Sequence, residues 1–162
     1  MAKAYTSFGG RLYRNKELAA DIISALDWMY ENEYNENTEK YDNWWEWEIG
    51  VPEVLNNIVV LMYDDLSAER IEKYEKAVNY FSPDPRYCCL PNRFVSTAAN
   101  RLSMCMVVGL RGIIVKDPYK TRLASDSLND VFGYVTSGDG FYRDGSFIQH
   151  DRHPYNGGYG VG

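Results

Sequence analysis

The chain has 162 residues, enough for one hydrophobic core, with 45% hydrophobic and 25% charged residues. Its net charge of −6 excludes a general nucleic-acid binder, which needs a basic face to displace counterions. No run of about eighteen apolar residues is present, which excludes a membrane-spanning helix.

In chain order, the start Met1-Ala2-Lys3-Ala4-Tyr5 lacks the apolar stretch of a signal peptide. The chain is then either cytosolic or exported by a signal outside this segment. Lys16 to Tyr30 carries Leu18, Ile22, Ile23, Leu26 and Met29 at helical spacing. Asn32 to Asp42 is polar and reads as a loop. After Trp44-Trp45-Glu46-Trp47, Pro52 fits the first turn of a helix that continues from Glu53 to Tyr63. Ser67 reads as an N-cap, with Arg70 in place of the usual acidic partner, for a helix with Ile71, Tyr74, Val78 and Phe81 on one side.

Ser82 to Pro91 contains three prolines and reads as irregular. A long apolar helix follows from about Ala98 to Val115, and Asp117-Pro118 starts another. From Gly133 onward glycines break any long helix, leaving a loop-rich stretch lined with Tyr, Phe and His. The pattern predicts an all-α domain of antiparallel helix pairs, with a Gly/Tyr-rich loop region near the C-terminus. It does not separate a toroid from a bundle.

Three stretches could carry chemistry. Trp44, Trp45 and Trp47 cannot all face one core, so at least one faces a cleft or solvent. Stacking on a sugar and stapling of neighbouring helices both remain open. Asn100 and Arg101 lie at the start of an apolar helix, where unpaired N–H groups and the dipole welcome an anion. The alternative is a capping Asn100 and a solvated Arg101. His150, with several tyrosines on a Gly-rich loop, offers an acid–base pair, or simply a hydrogen-bonded histidine.

Cys88, Cys89 and Cys105 form neither a disulfide framework nor a zinc pattern. The Asp-Gly repeats lack the closing Glu of a calcium loop. No metal and no cofactor is expected.

Read together, Tyr41-Asp42-Asn43-Trp44-Trp45-Glu46-Trp47-Glu48-Ile49-Gly50-Val51-Pro52, Ala99-Asn100-Arg101, Arg111-Gly112-Ile113 and Gly138-Asp139-Gly140-Phe141-Tyr142 with Asp144-Gly145-Ser146-Phe147-Ile148-Gln149-His150 resemble polysaccharide lyase family 8. That family includes hyaluronate, chondroitin and xanthan lyases. The resemblance runs from about Leu18 to Gly162. It implies an (α/α) toroid, here incomplete, followed in the family by β-sandwich domains. It implies β-elimination at a uronic acid of an acidic polysaccharide, giving a 4,5-unsaturated product. Asn100 matches the residue that contacts the uronate carboxylate, His150 the catalytic His and Tyr159 the catalytic Tyr. Trp44, Trp45 and Phe94 match the aromatic patch that orients the sugar chain, and Asn43 and Arg101 join them as substrate-binding candidates. His153 is a second, less favoured base.

The resemblance also implies extracellular action and, since the family's catalytic domain is about twice this length, a chain with little activity alone. The partners expected are the acidic polysaccharide and the rest of the parent enzyme, with no nucleic acid and no membrane. The alternative is a non-catalytic carbohydrate-binding module that uses the Trp44/Trp45 patch.

Overall fold

The computed structural model describes residues 1–150 and the backbone of residues 153–155. Six α-helices lie among these residues: α1 (Ala2–Thr6), α2 (Lys16–Asn32), α3 (Val51–Leu61), α4 (Ala68–Phe81), α5 (Ala98–Ile114) and α6 (Pro118–Leu128). Their starts follow the chemistry of the sequence. The Asn15 side chain accepts from Leu18 N–H, Ser67 accepts from Arg70 N–H at 3.3 Å, and Asp117 accepts from Tyr119 and Lys120 N–H, each satisfying donors left open by a first helical turn.

The apolar faces of α2, α3, α4 and α5 meet in one core. Ile22, Leu26, Leu55, Val59, Tyr74, Val78, Phe81, Val107 and Ile114 are all buried there, with Tyr34 and Trp47 closing one end. Polar ties set how the helices sit. Asp27 on α2 accepts from Arg70 and from the Tyr74 hydroxyl on α4. Buried Asn56 on α3 donates to the Val107 carbonyl on α5 at 2.9 Å.

Helices α5 and α6 form an antiparallel hairpin, because Gly112 lies against Thr121, Gly109 against Ala124, and Cys105 in one cluster with Leu128. A Cβ on Gly112 would sit 2.8 Å from the Thr121 nitrogen, so this crossing needs a glycine.

The Gly-rich stretch is not wholly loop, and the all-α expectation is corrected here. Strands β3 (Gly140–Phe141), β4 (Phe147–Gln149) and β5 (His153–Tyr155) make an antiparallel sheet in that order. Phe141 and Phe147 face each other across β3 and β4 with ring centroids 4.6 Å apart. Gly145, at φ +88°, turns the hairpin after Asp144. The Pro-rich segment is likewise not wholly irregular. β1 (Tyr87–Cys88) pairs antiparallel with β2 (Phe94–Val95). The molecule is therefore helix-rich with two small sheets, and both sheets lie next to the first turn of α5.

Candidate active site at the first turn of α5

Trp44 opens a helical run that continues into α3 through a π-helical segment, Glu46–Gly50, closed by Val51 N–H bonding to the Glu46 carbonyl. Such widened turns re-aim side chains and recur at functional sites. The three tryptophans part company. Trp47 is buried and donates its indole N–H to the Tyr41 carbonyl at 2.8 Å, so it staples the core. Trp44 is half-buried and packs on the cluster of Ile49, Cys88 and Met104. Met104, in that cluster, is one helical turn beyond Asn100 on α5. Trp45 is partly exposed and lines a groove with Leu26, Met29 and Val54. It thus belongs to the α2–α3 flank and does not join Trp44. Asn43 is exposed, and its Oδ1 accepts from Trp45 N–H at 3.1 Å, which caps the run.

Glu48 was not singled out as a site residue, yet it organises this region. It is fully buried, and it accepts from the N–H groups of Cys89 and Leu90 at 2.9 Å each and from Lys40. Charge-assisted bonds of this kind hold a loop firmly. The loop so held leads into β2, where Phe94 stands 61% exposed.

Asn100 is in the first turn of α5 and half-buried. It is not the cap: Thr97 occupies that position, and among the described residues the Asn100 side chain makes no hydrogen bond. Arg101 is neither a solvated charge nor a surface contact. Its side chain is 6% exposed. The guanidinium donates to Ser96 Oγ at 2.8 Å, to Asp130 at 2.9 Å and to the Ser127 carbonyl at 3.3 Å. It ties α5 to the segment before it and to the end of α6.

Gln149 brings the far end of the chain to this turn. It is buried, and its Oε1 accepts from Ala99 N–H at 3.2 Å. Thr97 adds a bond to Asp139 at 2.9 Å. His150, the next residue, is exposed. Cys89, Arg93, Ala98 and His150 all adopt positive φ, between 45° and 56°. Strained backbone of this kind concentrates at functional sites. The backbone of His153 pairs with Gln149, and Tyr159 lies outside the described residues.

The arrangement suits an anion. α5 presents its positive end and the Asn100 amide, while the carboxylates at this turn are already engaged, Asp139 by Thr97 and Asp130 by Arg101. Burial pushes the Cys88 thiol up to about 12 and the Cys105 thiol up to about 11, which makes these two poor nucleophiles. Among the described residues no group of three or more His, Cys, Asp or Glu could hold a metal ion. No helix there is long and apolar enough to cross a membrane.

Known proteins share this framework. A xanthan lyase of Bacillus sp. (strain GL1) is 45% identical over 163 residues, covering 99% of this chain and 17% of its own length. The hyaluronate lyase HylB of Enterococcus faecalis is 40% identical over 173 residues, again covering 99% of this chain and 17% of its own. The chondroitin AC lyase of Streptomyces coelicolor A3, solved in complex with chondroitin sulphate, superposes with a TM-score of 0.90 at 42% identity, covering 98% of this chain and 21% of that one. The chain thus spans about a sixth of the length of the curated relatives it matches. The family model for the N-terminal alpha-helical domain of polysaccharide lyase family 8 matches residues 1–162, and the chain belongs to that family.

Proposed function

We propose that the protein containing this chain is a polysaccharide lyase that cleaves an acidic polysaccharide outside the cell by β-elimination at a uronic acid. The observation that supports the reading is the Gln149–Ala99 bond, which joins the residue before His150 to the residue before Asn100 at the positive end of α5. The proton at C5 of a uronate is only weakly acidic. As it leaves, charge builds on the carboxylate, and the Asn100 amide together with the helix end stabilises that charge. Neutral His150 takes the C5 proton. The electron pair forms the C4–C5 double bond, the C4–O4 bond breaks, and Tyr159 protonates O4. Trp44 and Phe94 supply faces for the sugar chain, and the incomplete (α/α) toroid supplies the cleft. Arg101 acts from inside by fixing the start of α5.

The test is ultraviolet absorbance of the unsaturated product on hyaluronan, chondroitin and xanthan, measured with this chain and with the longest polypeptide its gene encodes. Asn100→Ala lowers turnover by roughly 10²–10³-fold, the usual loss when one donor to a developing charge is removed, and leaves the fold intact. His150→Ala lowers it at least as far. Activity that survives both changes overturns the assignment. A folded full-length protein that binds these polymers without producing absorbance makes the site a binding module.

A further inference from the structure

Two adjacent cysteines, Cys88 and Cys89, stand where β1 ends and the turn to β2 begins. In extended backbone successive side chains point to opposite faces, which keeps neighbouring sulfurs apart. Here the chain departs from that rule. Cys89 adopts φ +56°, in the left-handed region that residues other than glycine seldom enter. With that turn the two Sγ atoms lie only 3.9 Å apart.

The two sulfurs differ in access. Cys88 is buried in a cluster with Ile49 and Met104. Cys89 packs against that cluster but is partly exposed. A reagent arriving from solvent therefore meets Cys89 first. The third thiol, Cys105, belongs to a separate cluster with Val108 and Ala124.

The backbone of the pair rests on Glu48, which accepts from the N–H groups of Cys89 and Leu90 at 2.9 Å each. The Cys88–Cys89 peptide is trans, which sets its Cα atoms about 3.8 Å apart. A disulfide usually spans about 4.4–6.8 Å between Cα atoms. Joining these two sulfurs must therefore turn the backbone at Cys89, whose N–H is one of the donors to Glu48.

We propose that Cys88 and Cys89 are a redox modification site, oxidised by a peroxide to a disulfide between neighbours, and that closure loosens the hold of Glu48 on the β1–β2 turn. Cys89 Sγ, as thiolate, attacks one peroxide oxygen and the O–O bond breaks. The hydroxide that leaves takes up the proton lost by Cys89 and becomes water, and Cys89 becomes a sulfenic acid. Cys88 Sγ then attacks Cys89 Sγ and the S–O bond breaks. The departing hydroxide takes the Cys88 proton and leaves as a second water. Two thiols have lost two electrons and two protons, and one peroxide has become two waters. Cys88 is a poor nucleophile toward solvent, but its target is the adjacent residue, and proximity offsets weak acidity. The site does not depend on the lyase reading.

The test is treatment of the folded chain with hydrogen peroxide, then alkylation under denaturing conditions and mass mapping. Trypsin cuts after Arg86 and Arg93, so the fragment Tyr87–Arg93 holds Cys88 and Cys89 without Cys105. Expected is a fragment two hydrogens lighter than its reduced form, closed to alkylation and restored by dithiothreitol, with Cys105 alkylated throughout. The ratio of disulfide to sulfinic acid should exceed that of the urea-unfolded chain by roughly tenfold or more, because the fold holds the second sulfur in place. Cys89→Ser, at a partly exposed position, should leave Cys88 open to alkylation after the same treatment. Amide exchange at Cys89 and Leu90 should be faster in the oxidised chain and return to its first rate on reduction. Sulfinic acid in place of the disulfide, a ratio equal to that of the unfolded chain, a disulfide between two chains, or unchanged exchange at Cys89 and Leu90 overturns the proposal.

Discussion

Gly50 shows how one missing side chain shapes the aromatic surface. A Cβ there would stand 2.7 Å from Trp45 Cζ3, 3.2 Å from Cε3 and 2.9 Å from Glu46 Oε2. The Trp45 ring lies where only a glycine leaves room. Gly50→Ala gains about 0.5–1 kcal/mol of helix propensity, and it costs about 1–3 kcal/mol if the ring must move against its neighbours. The net destabilisation therefore runs from about 0 to about 2.5 kcal/mol, too wide a range for stability to be the readout. The decisive one is Trp45 fluorescence, read by difference from Trp45→Phe in each background. Emission shifted to the red in Gly50→Ala means the ring has left its seat. An unchanged Trp45 spectrum means the ring never depended on Gly50.

Among the elements, the two small sheets matter most, because one leads directly into α5 and the other bonds to its first turn through Gln149. Glu48 governs the first. Glu48→Gln keeps the size of the side chain, but an amide oxygen accepts only part of what the two carboxylate oxygens accept from Cys89, Leu90 and Lys40. A buried donor left unsatisfied costs about 1–3 kcal/mol. We expect a loss of that size by urea denaturation, together with faster amide exchange at Cys89 and Leu90 and faster proteolysis between Cys89 and Val95. A variant as stable as the parent, with the hairpin equally protected, would show that the Glu48 bonds do not hold it.

These sheets were also the part of the fold least legible in the sequence. The helices announced themselves through the Ile22–Leu26 spacing, Ser67 and Asp117-Pro118. Strands of two or three residues are too short for alternation to register. Asp144-Gly145 between Phe141 and Phe147 was a usable hairpin signal that the glycine count obscured. Within the site, the turn carrying Asn100 was legible as a helix start. That Arg101 is buried was not, because its partner Asp130 is 29 residues away. The parting of Trp44 from Trp45 was hidden too, since it depends on which helices flank them.

At the scale of the whole molecule, Glu75 couples stability to pH. In the unfolded chain it titrates near its ordinary value of 4.5, while burial in the folded state pushes it up to about 8. Below pH 4.5 both states hold the proton and nothing is lost. Between 4.5 and 8 the unfolded state binds fewer protons than the folded one, so the stability to unfolding falls as pH rises, by up to about 1.4 kcal/mol per unit. Above 8 both states are ionised and the penalty is constant. This is the reverse of a paired surface carboxylate, whose stability is lost toward acid. Glu75→Gln removes the penalty, because the amide has no proton to lose. Its gain over the parent should be about 1 kcal/mol at pH 5 and grow to about 4 kcal/mol by pH 7.5, as read from urea denaturation across that range. Two curves that stay parallel from pH 5 to pH 9 would show that Glu75 titrates alike in both states, and that burial does not keep it protonated at neutral pH.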